Sequence, residues 1–173
     1  AAAGAAAGDI RITLKHMSWD YVMCYGKDNN FDFETMTGKV ALLNGRNAMG
    51  KSAFLDVICF GLYGEPSKHR HLVSGKQLNG KFIHDHRPPN APMRVSITAA
   101  INDEIYTIYR EYTKKDDGMR GVCANVRAGA AVVPIIEGIN NVTEWVVSNF
   151  GTLDNLLMSS FITQIETHNF FHL

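Results

Sequence analysis

The chain has 173 residues, 46% of them hydrophobic, which supplies about 80 side chains for burial and excludes a disordered tail. With 17 Lys and Arg against 17 Asp and Glu, bulk charge excludes non-specific polycation behaviour, and any nucleic-acid contact must come from a local patch. No apolar run is long enough to span a membrane, and Cys24, Cys59 and Cys123 form no C-x-x-C pair. A disulfide framework and a zinc ribbon are thereby unsupported, and the expected compartment is intracellular: cytoplasm, nucleoid or nucleus.

Residues 1–8 are an Ala/Gly run of low complexity and uncertain identity, without the charged start and bulky apolar stretch of a signal peptide; they are set apart from a domain over 9–173. Ile10, Ile12 and Leu14 alternate with Arg11 and Thr13, which predicts a strand. Phe31 and Phe33 alternate in a second short strand after the polar turn at residues 26–30, and Thr37-Gly38 is a turn. Residues 40–43 (Val-Ala-Leu-Leu) form a continuous apolar run, expected as a strand buried on both faces. From Ala53 to Tyr63 the chain is apolar on nearly every face, which predicts a buried helix ended by Gly61, Gly64 and Pro66.

Between that strand and helix lies Gly45-Arg46-Asn47-Ala48-Met49-Gly50-Lys51-Ser52, which matches G-x-x-x-x-G-K-[ST]. Glycines in such a loop let backbone amides turn inward and approach phosphates closely. Lys51 is expected on the β- and γ-phosphates, the Ser52 hydroxyl on Mg²⁺, and the positive end of the following helix adds to the field on the anion. The pattern arises by chance in roughly one chain in 150 of this length, and the flanking strand and helix make chance rarer still. ATP and Mg²⁺ are the expected ligands, with Asn44 through Ala53 as the binding segment.

The segment Leu43-Asn44-Gly45-Arg46-Asn47-Ala48-Met49-Gly50-Lys51-Ser52, with Leu62-Tyr63-Gly64 at the helix end, resembles the head domain of the SMC-like double-strand-break repair ATPases, of the type called SbcC in bacteria. Leu157-Met158-Ser159-Ser160-Phe161-Ile162-Thr163-Gln164 is similar to the family's Q-loop segment. The resemblance implies catalytic roles for Lys51 and Gln164, the latter beside the Mg²⁺ held by Ser52. It also implies double-stranded DNA, an SbcD-type nuclease partner and a second head paired through ATP. Walker B and the signature loop lie, in that family, in a C-terminal lobe beyond a long coiled coil. This chain, which ends on the apolar Phe170-Phe171-His172-Leu173, is therefore expected to be an N-terminal lobe that is inactive alone. One departure concerns the family's nucleotide-reaching Arg in the loop after the first strand: here Lys15-His16-Met17-Ser18-Trp19 occupies that stretch, and Trp19 reads as a packing residue.

Two sequences imitate the missing motifs. Asn102-Asp103-Glu104 follows apolar residues as a Walker B pair does, but alternation on both sides marks a hairpin. Val73-Ser74-Gly75-Lys76-Gln77 imitates a signature loop without the helix that belongs after it. Lys68, Arg70, Lys76, Lys81 and Arg87 face one acid, Asp85, and are a candidate contact for DNA phosphates or else a solvated connection. His69, His71, His84 and His86 lie among them with no spacing that fixes four metal ligands. Further on, residues 114–118 read as a hairpin tip and residues 129–133 as a turn. Asn141 with Glu144 reads as a capping box for a helix from near Val142, and Leu153, Leu156, Leu157 and Phe161 as its inward face.

The expected fold is α/β: a P-loop lobe like an ABC-ATPase head, with a mixed sheet and an antiparallel hairpin section. Competing readings are another ATPase of the superfamily (a chromosome-condensing SMC, a RecF- or RecN-like protein, a transporter subunit) and a non-catalytic module that keeps the loop for stability.

Overall fold

The computed structural model describes residues 10–44, 46, 50–67, 72–74, 77–78, 80–116 and 118–160. Its centre is a six-stranded sheet of order β2-β1-β5-β6-β7-β8: β1 (Ile12–Asp20), β2 (Asn29–Asp32), β5 (Met93–Ile101), β6 (Glu104–Lys115), β7 (Gly118–Ala128) and β8 (Ile136–Glu137). Every pairing in it is antiparallel. The α/β class and the hairpin section follow the sequence; the parallel pairing that a mixed sheet requires is not formed among the described residues.

β1 is longer than its alternation announces. Its register against β5 shifts between Leu14 and His16, and the extra residue re-phases the strand, so that Met17 and Trp19 point inward. The stretch read as a loop, from Lys15 to Trp19, is thus strand interior, and Trp19, 6% exposed, is a packing residue as expected. At the β5–β6 turn Asn102 and Asp103 both take positive φ, 48° and 71°, which is the two-residue hairpin geometry those side chains tolerate best. Asp103 is paired with Arg11, and Glu104 accepts from the Tyr106 hydroxyl at 2.6 Å, so this acidic pair belongs to a hairpin.

One sheet face is apolar. Met17, Ile97, Ile108 and Val126 lie side by side across β1, β5, β6 and β7, all fully buried. The other face is polar: Ser18, Ser96, Tyr109 and Asn125 stand in one row. Helix α1 (Lys51–Tyr63) packs on the apolar face and is buried continuously from Val57 to Tyr63. Its approach is set by Gly61, where an added Cβ would stand 2.5 Å from Ile97 Cδ1 and 2.7 Å from Val95 Cγ1. Gly61, expected among the residues that end the helix, lies within it; the stop is Gly64, whose φ of 74° lets its amide reach back to Phe60 O at 2.8 Å.

Helix α2 (Ile139–Phe150) also lies on the sheet, but starts earlier than expected and without a capping box. Gly138, at φ 95°, turns the chain straight out of β8, and the Asn141 amide donates instead to Glu137 O at 2.9 Å. Gly151, at φ 80°, then breaks what was read as one helix, and α3 (Leu153–Ser160) follows with Leu153 and Leu156 against the core. Phe161 lies outside the described residues. β3 (Leu72–Ser74) and β4 (Gln77–Leu78) pair as a small hairpin, and a 3-10 turn at Gly80–Phe82, rather than a helix, comes next.

The run at 40–43 departs most from expectation. It is not a strand, and Val40, Leu42 and Leu43 are 99%, 89% and 50% exposed. A strand exists only where a neighbour exchanges hydrogen bonds with it, and no described strand lies beside this one.

Candidate phosphate-binding site

Helix α1 begins at the lysine and serine of the phosphate-loop motif. Gly50 is its N-cap at φ 87°, a left-handed conformation that a side chain would strain. The Gly50 carbonyl accepts the first helical bond from Phe54 N at 2.9 Å. No side chain caps this end, and no acid sits in its first turn. The helix end therefore keeps its positive field, which suits an anion and repels nothing of negative charge. The Lys51 amine donates to the Arg46 carbonyl at 2.8 Å. Ser52 is exposed at the second helical position, its hydroxyl open to a cation brought in with the anion.

Of the other expected binding residues, Asn44 and Arg46 are exposed on the approach to the helix, and Ala53 is buried in its first turn. Gly45, Asn47, Ala48, Met49 and Gln164 lie outside the described residues. The first-turn serine and lysine fit a magnesium-bound triphosphate; among the described residues no cluster of three or more His, Cys, Asp or Glu stands ready for a metal.

The basic stretch is only partly in view, since Lys68, Arg70 and Lys76 fall outside the described residues. Lys81 is exposed on the 3-10 turn. Arg87 is half-buried and donates to the carbonyls of Pro88 and Ala91 at 3.1 and 2.9 Å, bonds that hold its own loop. Asp85 reaches Lys114 at 3.6 Å. The rings of His84 and His86 stand 5.8 Å apart, and His84 Nδ1 accepts from His86 N at 3.1 Å, which is local turn geometry.

Three participants escaped the sequence. Tyr25 donates its hydroxyl to Gly50 O at 3.0 Å, across 25 residues of chain. Arg110, fully buried on β6, donates Nε to Gly61 O at 3.1 Å and Nη2 to Leu62 O at 2.7 Å, at the far end of α1. Asp56, 1% exposed on α1, accepts from Ser67 N at 2.9 Å and Ser67 Oγ at 2.5 Å. A carboxylate within an apolar helix, and an arginine at an inward strand position between Ile108 and Tyr112, were signals available in the sequence. For Tyr25 there was none, since its contact depends on how two loops meet.

A family model described as an AAA domain matches residues 17–164, and so includes the whole site. A comparison with curated proteins finds no match.

Proposed function

The chain belongs to the AAA domain family, a family of ATPase domains, and on that premise we propose that it is the ATP-binding lobe of a DNA double-strand-break repair or recombination ATPase. Lys51 and the first-turn amides of α1 hold the β- and γ-phosphates, and Ser52 with Gln164 holds Mg²⁺. The bound magnesium nucleotide supplies a phosphoanhydride whose leaving charge the cation and Lys51 neutralise. The observation that carries the incomplete-lobe reading is the apolar run at 40–43, which is exposed and has no strand beside it among the described residues. A strand buried on both faces in a parallel sheet has this composition, and a C-terminal lobe that pairs with it supplies what is missing. The repair assignment, the SbcD-type nuclease partner, the double-stranded DNA and the pairing with a second head rest on the motif resemblance around residues 43–64 and 157–164.

The test is reconstitution. Alone, the chain binds ATP weakly and turns over almost none; with its C-terminal lobe it pairs into an ATP-dependent dimer. Lys51→Ala keeps the fold and removes most ATP affinity in a calorimetric titration. Robust hydrolysis by the highly purified chain alone rejects the lobe reading. Neutralising Lys68, Arg70, Lys76, Lys81 and Arg87 together weakens DNA binding for all sequences alike and flattens its salt dependence by nearly one unit of slope per lost phosphate contact. An unchanged slope places DNA elsewhere. A long heptad pattern downstream of residue 173 favours a repair or condensing ATPase over a transporter subunit.

A further inference from the structure

The connection between β1 and β2 is held in an unfavourable backbone conformation directly against the phosphate loop. Tyr21 and Met23 take φ of 58° and 50°, a region that bulky side chains rarely enter. Neighbouring chain fixes them there: Met23 N donates to Phe82 O and His84 N to Tyr21 O, both at 2.8 Å, and Val22 bridges Ile83. Tyr25 N donates to Val22 O at 2.9 Å, and the Tyr25 ring meets Trp19 edge-on at 5.3 Å. The outcome of this bracing is one polar contact, the Tyr25 hydroxyl on Gly50 O. A Cβ at Gly50 would meet both that hydroxyl and Cys24 Sγ at 3.0 Å, so the two loops are in close approach.

We infer that Tyr25 is a positioning residue of the phosphate loop, which aims the Lys51 amide at the bound anion by fixing the Gly50 carbonyl. The peptide between Gly50 and Lys51 is planar and trans, so its carbonyl and its N–H point in opposite directions. Phe54 N and the Tyr25 hydroxyl together occupy that carbonyl and set the plane. The Lys51 N–H, on the other side of the same plane, is then directed out of the helix end before any ligand arrives, which lowers the ordering cost of binding. Burial, with Cys24 adding to it, pushes the Tyr25 phenol above its usual range, so the hydroxyl stays a donor at neutral pH.

The inference rests on the ATP-binding reading, and the experiment separates the two. In the intact protein, Mg-ATP is titrated calorimetrically into wild type, Tyr25→Phe and Lys51→Ala, and each is melted without nucleotide. Tyr25→Phe keeps the ring and its packing and removes only the donor. The expected result is a three- to tenfold weaker ATP affinity, the worth of one hydrogen bond, with a nucleotide-free melting midpoint near wild type. Unchanged affinity in Tyr25→Phe beside lost affinity in Lys51→Ala overturns the positioning role and leaves the nucleotide reading standing. A melting midpoint that falls while affinity holds reduces Tyr25 to a packing contact and also overturns it. No ATP binding by wild type defeats the nucleotide reading, and the inference with it.

Discussion

Arg110 is a buried guanidinium with no carboxylate paired to it among the described residues. What offsets its charge is the C-terminal end of α1, where the last carbonyls concentrate the negative end of the helix dipole. Leu62 O has no helical donor to receive, because four residues on stands Pro66, which has no N–H. Arg110 fills that vacancy, bonds Gly61 O as well, and reaches Thr143 Oγ1 on α2 at 3.1 Å. Burial lowers its pKa, with Tyr112 alongside opposing the shift. Replacing Arg110 by Met keeps the bulk but leaves two buried carbonyls without their donor. The expected cost is about 2–4 kcal/mol, read as a lower urea midpoint at unchanged slope. A loss below about half a kcal/mol would show that solvent reaches those carbonyls, contrary to the packing described.

At the scale of elements, α1 is the piece whose placement matters most, because its N-terminus is the site. Its distance from the sheet is fixed by Gly61. Alanine is the better helix former there by about 1 kcal/mol, yet its methyl would overlap Val95 and Ile97, both buried and both β-branched. The overlap is expected to prevail: Gly61→Ala destabilises by about 1–2 kcal/mol net and shifts α1 outward, which a chemical denaturation curve detects. A stabilised variant would mean that the sheet yields there. Much at this scale was legible in the sequence. The continuous apolar face of α1, the glycine stop at Gly64, the hairpin at Asn102-Asp103 and the tip at residues 114–118 follow from local pattern and turn chemistry, and each is found. What was not legible depends on partners distant in sequence. The bulge in β1 shifts the alternation that the reading relied on; Gly138 replaces a capping box; residues 40–43 have strand composition without a neighbouring strand; and the Tyr25 contact exists only once two loops meet.

For the whole molecule, two protonated groups join the core to its helices. Burial raises the Cys59 thiol from 9.0 to about 12, with Asp56 adding to the shift. Burial also raises Tyr63 from 10.0 to about 12, and its hydroxyl donates to Gly151 O at 3.0 Å, tying α1 to the C-terminal end of α2. Both groups keep their protons in the folded chain after the unfolded chain has released them. Stability is therefore insensitive to them below about pH 9 and falls as pH rises from there toward 12. Urea midpoints measured between about pH 8 and pH 11 should decline, and Cys59→Ser with Tyr63→Phe should flatten the decline. A pH-independent midpoint in wild type would contradict the burial of both groups.

The order of strands also carries a kinetic consequence. β5, β6 and β7 are joined by two-residue turns and β8 follows after a seven-residue connection, so their contacts are local and expected to close early in folding. β1 instead pairs with β5 across roughly 80 residues, and the whole phosphate loop lies inside that interval. On that order Gly50 and Tyr25 are expected to meet after β1 has docked on the meander, since Trp19 of β1 packs against the Tyr25 ring. A ligand that recognises the finished site then has nothing to bind in the rate-limiting ensemble. Saturating Mg-ATP is accordingly expected to slow unfolding while leaving the refolding rate unchanged, a division that stopped-flow chevrons with and without nucleotide resolve. Faster refolding with ATP would mean that the loop takes shape before β1 arrives.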